Sequence, residues 1–132
     1  MANYNVPAEL RYSKTHEWVK SLGNGKYRMG ISEYAAKSIG DVTYVELPGA
    51  GDSFDKGEAP CVIETVKSSE DVYTAIAGEI TAANSDTLDS TPETLNTDCY
   101  GKGWLFEIKA DSDDDFNALM AADEYKKFLE TL

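Results

Sequence analysis

One lysine lies at the junction between two segments whose composition is typical of β-strands. Residues 61–66, before Lys67, are rich in β-branched side chains, and residues 72–77 after it have the same character and end at Gly78. The connection between them, residues 67–71, is short and polar, which predicts a hairpin. A lysine there would hold its amine away from the body of the protein, where an enzyme could attach a group to it. The alternative is an ordinary solvated turn lysine, and the flanking residues decide against it.

The residues around Lys67 resemble those of lipoyl-bearing domains, with Glu64 three positions before the lysine and Gly78 eleven after it. The continuation Ser69-Glu70-Asp71-Val72-Tyr73 resembles one branch in particular, the H-protein family of the glycine cleavage system. Further segments match this family in the expected order: Thr15-His16-Glu17-Trp18, Gly30-Ile31-Ser32-Glu33-Tyr34-Ala35, Gly40-Asp41, Val45-Glu46-Leu47-Pro48, Ser90-Thr91-Pro92-Glu93, Asn96, Tyr100-Gly101 and Gly103-Trp104. Two departures, Tyr34 in place of a common histidine and the run at residues 74–77, leave the lysine in place.

The resemblance implies a lipoyl carrier with lipoate bound as an amide to Lys67. Because a lysine amine is protonated at neutral pH, it does not acylate itself, and a lipoyl ligase or transferase must modify it. Three further partners are implied. A pyridoxal-phosphate-dependent glycine decarboxylase loads an aminomethyl group onto the arm, and a tetrahydrofolate-dependent aminomethyltransferase then takes the methylene group and releases ammonia. A dihydrolipoamide dehydrogenase finally reoxidises the dithiol.

The resemblance also implies a surface cleft that shelters the cationic aminomethyl arm from water. Its candidate residues are Thr15, Glu17 and Asp71, and an ordinary solvated role is the alternative for each.

A second function remains open, in which the protein stores lipoyl groups or relays them to other enzymes. Both functions need Lys67, so the residue does not separate them. A biotin carrier is disfavoured because Val66 and Ser68 flank the lysine where such domains usually have methionines. A lipoyl domain of a 2-oxoacid dehydrogenase is disfavoured because the chain has no linker rich in alanine and proline, and because the match extends far beyond the hairpin.

Length and charge limit the remaining possibilities. With 132 residues, of which 42% are hydrophobic, the chain suits one globular domain, residues 1–132, without disulfide staples. The net charge of −12 argues against nucleic acid, and no apolar run is long enough to span a membrane. The first residues, 1–5, do not resemble a targeting signal, which predicts a cytoplasmic protein. A carrier that visits several enzymes is most simply a monomer.

The pattern along the chain predicts a mainly β fold with short helices. We expect strands at residues 10–13, 17–20, 26–31, 42–47, 78–84 and 104–109, and a helix capped by Ser32 and ending at Gly40. We also expect a single helical turn through Leu95, capped by Thr91 and with Pro92 in its first turn. The acidic run 111–115 suits a helix N-terminus, and apolar stripes at Phe116, Leu119 and Met120 and from Tyr125 to Leu132 predict two C-terminal helices, so residues 111–132 form a helical extension. With the resemblance, this is a flattened barrel-sandwich of two small antiparallel sheets, like a lipoyl domain.

We expect no catalysis by the chain itself. His16 is the only histidine and has no serine or cysteine motif to pair with, and no residues have the spacing of metal ligands. The sequence therefore predicts a carrier rather than an enzyme.

Overall fold

The computed structural model describes residues 4–132, so residues 1–3 of the predicted non-targeting start lie outside the described part. The described chain forms ten strands and five short helices. The strands are β1 Arg11–Tyr12, β2 Glu17–Gly23, β3 Lys26–Ile31, β4 Val42–Glu46, β5 Ser53–Phe54, β6 Cys61–Thr65, β7 Ser69–Val72, β8 Gly78–Ala83, β9 Phe106–Ala110 and β10 Met120–Ala121. The helices are α1 Glu33–Ile39, α2 Ser85–Leu88, α3 Thr94–Thr97, α4 Asp114–Asn117 and α5 Ala122–Leu129.

The strands form two open antiparallel sheets, which confirms the predicted fold class. The larger sheet has seven strands in the order β10-β1-β2-β3-β9-β8-β5, and the smaller has three in the order β4-β6-β7. One core cluster contains buried residues of both sheets, such as Met29 and Ile108 from the larger and Val45 and Ile63 from the smaller. The two sheets are thus held together by apolar packing, the dominant favourable term in folding.

The hairpin that carries Lys67 is tighter than the sequence predicts. β7 begins at Ser69, which pairs with Glu64, so the loop is residues 66–68 rather than 67–71. The predicted strand at residues 72–77 is wrong beyond Val72, because residues 73–77 run as irregular chain from the small sheet to the large one. Thr74, Ala75 and Ile76 are buried along this crossing. A short apolar run that is buried without strand pairing has the same composition as a core strand.

The first helix follows the predicted local chemistry. The Ser32 hydroxyl accepts a hydrogen bond from the backbone N–H of Ala35 at 3.3 Å, which satisfies one of the free donors of the first turn. Gly40 ends the helix at φ +80°, a conformation that favours glycine. α3 begins at Thr94, after a tight turn in which Thr94 N–H bonds to the carbonyl of Thr91 at 3.0 Å. The helical turn therefore starts two residues later than the sequence predicts, and the sequence does not predict α2.

The C-terminal segment is less helical than its sequence indicates. α4 is a single turn, and Met120, predicted on a helical stripe, lies in β10 and pairs with Tyr12 of β1. The edge of β1 offers unpaired backbone groups that this segment satisfies. α5 agrees with the prediction, and Tyr125 from α5 is fully buried in a second core cluster with Tyr12 and Trp18.

None of the helices in residues 4–132 has the length and apolar character needed to cross a lipid bilayer.

Candidate functional site

Lys67 lies at the tip of the β6–β7 hairpin and is exposed to solvent. The tip is fixed by Thr65, whose hydroxyl accepts hydrogen bonds from the backbone N–H groups of Lys67 at 3.2 Å and Ser68 at 3.0 Å. The Thr65 N–H also bonds to the carbonyl of Ser68 at 2.8 Å. The salt bridges among residues 4–132 are Arg28–Glu107 and Lys37–Glu33, and Lys67 belongs to neither. The hairpin thus presents an accessible amine on an ordered turn.

The side chain of Lys67 runs beside the exit of α1. A Cβ atom added at Gly40 would lie 3.2 Å from Lys67 Cε and 3.7 Å from its Nζ. The hairpin is tied to the same region by the hydrogen bond from Val66 N–H to the carbonyl of Asp41, at 3.1 Å. The absence of a side chain at Gly40 therefore gives the lysine room along this edge.

A pocket of about 480 Å³ opens between the start of the large sheet, the crossing chain and the C-terminal segment. Its lining combines apolar walls with hydroxyls, one carboxylate and two lysines: Tyr12, Ser13, Lys14, Thr15, Glu17, Lys56, Gly57, Tyr73, Thr74, Ala75, Ala118, Leu119 and Met120. Tyr73 lies six residues after Lys67, and six extended residues span at most about 20 Å. The β7 strand therefore leads from the hairpin lysine to the pocket.

Glu17 is the carboxylate of this pocket and is only 3% exposed. Its Oε1 atom accepts hydrogen bonds from the hydroxyls of Ser13, at 2.7 Å, and Thr15. Burial raises the pKa of Glu17 to about 6, although the hydroxyls of Thr15 and Ser13 and the backbone N–H groups of Tyr73 and Glu17 itself pull in the opposite direction. At neutral pH the side chain is therefore mostly an anion, held in a sheltered place without a salt bridge to any residue between 4 and 132.

The turn that carries these groups is held by the C-terminal helix. His16 has φ +73°, which is uncommon for a residue other than glycine. Its Nδ1 lies 2.8 Å from the hydroxyl of Tyr125, which in turn lies 2.7 Å from the hydroxyl of Ser32. The carbonyl of His16 accepts a hydrogen bond from Ser32 N–H at 2.9 Å. His16 is thus structural, and burial lowers its pKa.

Two of the three predicted cleft residues come together in the structure. Thr15 and Glu17 are hydrogen-bonded to each other and line the pocket. Asp71 does not line it: it is exposed on β7, opposite Val62. The role of each stays a prediction. Ser13 and Tyr73 join this site without any signal in the sequence, because only the tertiary fold brings the Ser13 hydroxyl and the Tyr73 backbone N–H to the Glu17 carboxylate.

Other chemistry finds little support in the described part of the chain. Between residues 4 and 132, no group of three or more histidine, cysteine, aspartate or glutamate residues could hold a metal ion. Cys61 and Cys99 are both buried, and burial raises the pKa of both thiols, so neither has the character of a reactive thiolate.

We expect the Glu17 carboxyl to make the stability of the protein depend on pH. Its folded pKa of about 6 lies above the ordinary value of 4.5, so the folded state binds this proton more tightly. The resulting stabilisation is complete below pH 4.5 and is lost as the pH rises through 6. A shift of this size corresponds to about 2 kcal/mol. The measurement is the free energy of unfolding of the wild type and of Glu17→Gln, each at low and at neutral pH. Between the two pH values, the free energy of unfolding should fall by this amount more in the wild type than in the variant. An equal loss in both proteins would contradict it.

Fold and site together define a small two-sheet β domain that presents a hairpin lysine near a pocket whose single carboxylate, Glu17, is buried. The sequence model of the family described as "Glycine cleavage H-protein" matches residues 10–132. The chain belongs to this family and is, by that membership, an H-protein component of a glycine cleavage system.

Individual relatives agree with this assignment. The glycine cleavage system H protein of Pseudoalteromonas translucida is 46% identical over 121 residues, which cover 92% of this chain and 93% of the relative. That of Idiomarina loihiensis is 46% identical over 122 residues, covering 92% and 94%. Among solved structures, the crystal structure of a glycine cleavage system H protein from Mycobacterium marinum superposes with a TM-score of 0.85 at 30% identity, covering 96% of this chain and all of that one.

Proposed function

We propose that this protein is a non-catalytic lipoyl carrier whose cofactor is bound as an amide to Lys67. The exposed amine at the tip of an ordered hairpin is the observation that carries the proposal. In the acylation, the deprotonated Nζ attacks the carbonyl carbon of an activated lipoyl donor, such as a lipoyl adenylate. The amide C–N bond forms, the bond from the carbonyl carbon to the phosphate oxygen breaks, and AMP leaves. The protons lost by the amine pass to a base of the lipoyl ligase or transferase.

The arm then visits three enzymes. A pyridoxal-phosphate-dependent glycine decarboxylase breaks the bond to the carboxyl carbon, which leaves as CO2, and transfers the aminomethyl group to one sulfur of the disulfide, while the other sulfur becomes a thiol. A tetrahydrofolate-dependent aminomethyltransferase accepts the methylene group and releases ammonia, which leaves the dithiol. A dihydrolipoamide dehydrogenase then restores the disulfide, and its flavin accepts the two electrons. Tethering gives each enzyme a high local concentration of the reactive group, which a free cofactor would lack. A monomer suits a carrier that moves from one enzyme to the next. We place it in the cytoplasm together with these enzymes.

The pocket suits the loaded form of the arm. An aminomethyl group carries an ammonium, and the Glu17 carboxylate is an anion without a salt bridge in residues 4–132. Bonds from Ser13 and Thr15 fix its orientation. The extended arm is about a dozen bonds, or roughly 15 Å, long. This length is comparable with the stretch of chain from Lys67 through β7 to Tyr73. Asp71 lies on this strand between the hairpin and the pocket, where it could pair with the ammonium on the way.

Reconstitution of the first half-reaction tests the proposal. The purified protein is lipoylated and mixed with the glycine decarboxylase, and exchange of the glycine carboxyl carbon with labelled bicarbonate is measured. We expect exchange with the lipoylated protein and none with the unmodified protein. If the lipoylated form supports no exchange but donates its lipoyl group to other apo-proteins, the relay function replaces the carrier function.

A further inference from the structure

The outer face of the small sheet carries, besides Asp71, side chains that have no part in the proposed lipoyl site. Directly opposite residues of antiparallel strands point to the same face of a sheet. Tyr44, Glu64 and Ser69 form one such row across β4, β6 and β7, and Glu46, Val62 and Asp71 form the next. In the row between them, Val45 and Ile63 point into the core, and Glu70, the member on β7, is half-buried. The six residues of the first two rows are called the outer face below.

Large apolar groups are exposed at this corner of the molecule. Tyr44 is 51% exposed on the edge strand, and Val66, at the hairpin tip next to Lys67, is 65% exposed. Tyr44 lies directly opposite Glu64, three residues before the lysine. Tyrosine is among the residues that contribute most to binding at protein interfaces. Two exposed apolar side chains, one on the edge strand of the small sheet and one at the hairpin tip, are therefore a feature of a contact surface.

Carboxylates share the outer face with Tyr44. Glu46, Glu64 and Asp71 are all exposed on this face, and Glu64 lies directly opposite Tyr44. Exposed aromatic side chains next to charged ones are a common feature of protein interfaces. The partner that fits it has an apolar socket surrounded by basic residues, because opposite charges speed up association and fix the orientation of the complex.

Geometry distinguishes among the enzymes that handle the lysine. The enzyme that acylates Lys67 must bring its active site to Nζ itself, so its footprint must include the hairpin. The other enzymes act on sulfur or carbon atoms at the far end of the arm, roughly 15 Å from the backbone. They have no such need to touch the hairpin. The outer face and the hairpin tip are therefore best suited to the acylating enzyme.

We propose that the outer face, with Tyr44 on its edge strand, is the docking surface for the enzyme that transfers an activated lipoyl group to Lys67. This inference rests on the proposed function, since it assumes acylation at Lys67. The enzyme seats the Tyr44 ring in an apolar socket and pairs basic residues with Glu46 and Glu64. Docking in this way places Lys67 Nζ against the carbonyl carbon of the donor.

The first test measures kcat/KM for acylation of Tyr44→Ala with a purified lipoyl ligase, using intact mass as the readout. We expect kcat/KM to fall by about tenfold or more, as it does when a tyrosine that an interface buries is truncated. The matched control is Leu22→Ala, which removes a 40% exposed apolar side chain from the β2–β3 hairpin of the large sheet. It should stay within about twofold of the wild type because a surface side chain outside an interface contributes little. Equal rates for the two variants overturn the proposal.

A second pair of variants tests the carboxylates of the outer face. The two variants change the net charge of the protein by the same amount. Glu46→Lys on the outer face and Glu79→Lys on β8 both reverse one exposed carboxylate. We expect Glu46→Lys to raise KM for acylation several-fold and to weaken its dependence on ionic strength, whereas Glu79→Lys leaves both near the wild-type values. If the two variants respond alike, only the overall charge matters and the docking surface lies elsewhere.

A third readout separates this inference from the function on which it rests. Each variant is lipoylated to completion with excess ligase, and its reduction by dihydrolipoamide dehydrogenase is followed. Reduction of Tyr44→Ala at the wild-type rate, with slow acylation, supports a surface specific for the acylating enzyme. Equal loss in both reactions overturns that specificity. A wild-type protein that gains no mass at Lys67 would instead defeat the proposed function.

Discussion

Lys67→Arg abolishes acylation and with it every glycine exchange activity of the reconstituted system. Arginine keeps the positive charge and the length of the side chain, but its guanidinium stays protonated and offers no nucleophilic amine. The turn does not depend on the lysine side chain, because Thr65 holds the backbone of the tip. The variant should therefore fold normally and fail only in the chemistry. Intact mass after incubation with ligase and lipoate is the direct measurement.

Lys56→Arg is the matched control for this experiment. Lys56 is also exposed and lines the pocket, yet it lies in the loop between β5 and β6 rather than at the hairpin tip. We expect this variant to gain the same mass as the wild type. A mass gain that survives in Lys67→Arg and disappears in Lys56→Arg would move the attachment site to the rim of the pocket. The lipoyl arm would then extend from the loop between β5 and β6 and not from the hairpin tip.

The part of the site that the sequence predicts is local, and the part that it does not predict is tertiary. Lys67 can be placed at a hairpin tip because the residues around it have strand and turn character over a short span. The end of β7 cannot be predicted in this way. Thr74, Ala75 and Ile76 are buried while the chain crosses between the sheets, so their composition is that of a strand although they pair with none.

The pocket shows the same limit. The family resemblance predicts Thr15 and Glu17 as cleft residues, and the structure adds that the Glu17 carboxylate is buried, which raises its pKa. The turn that carries these groups depends on His16 at positive φ and on Tyr125, which lies 109 residues away in the chain. No local pattern links these two residues. The pairing of Met120 with β1 is equally non-local, which is why its apolar stripe was assigned to a helix.

Gly78→Ala is expected to destabilise the fold strongly. A Cβ atom at this position would lie 2.9 Å from the backbone carbonyl carbon of Lys109 and 3.0 Å from Cα of Ala110, and closer still to the carbonyl oxygen of Lys109. These atoms belong to β9, which pairs with β8 at this point, so they cannot move without breaking the ladder. Overpacking of this kind costs about 3 kcal/mol, and more where the backbone cannot yield. The free energy of unfolding in urea is the measurement.

Gly49→Ala provides the comparison, because a Cβ there would meet only the carboxylate of Asp52, at an ordinary 3.4 Å. We expect it to change the free energy of unfolding by less than about 1 kcal/mol. A loss below that value in Gly78→Ala would mean that β9 shifts to make room. Acylation separates the two effects further: β8 and β9 belong to the large sheet and Lys67 to the small one. The folded fraction of Gly78→Ala should therefore still accept a lipoyl group, since the defect lies in the scaffold and not at the lysine.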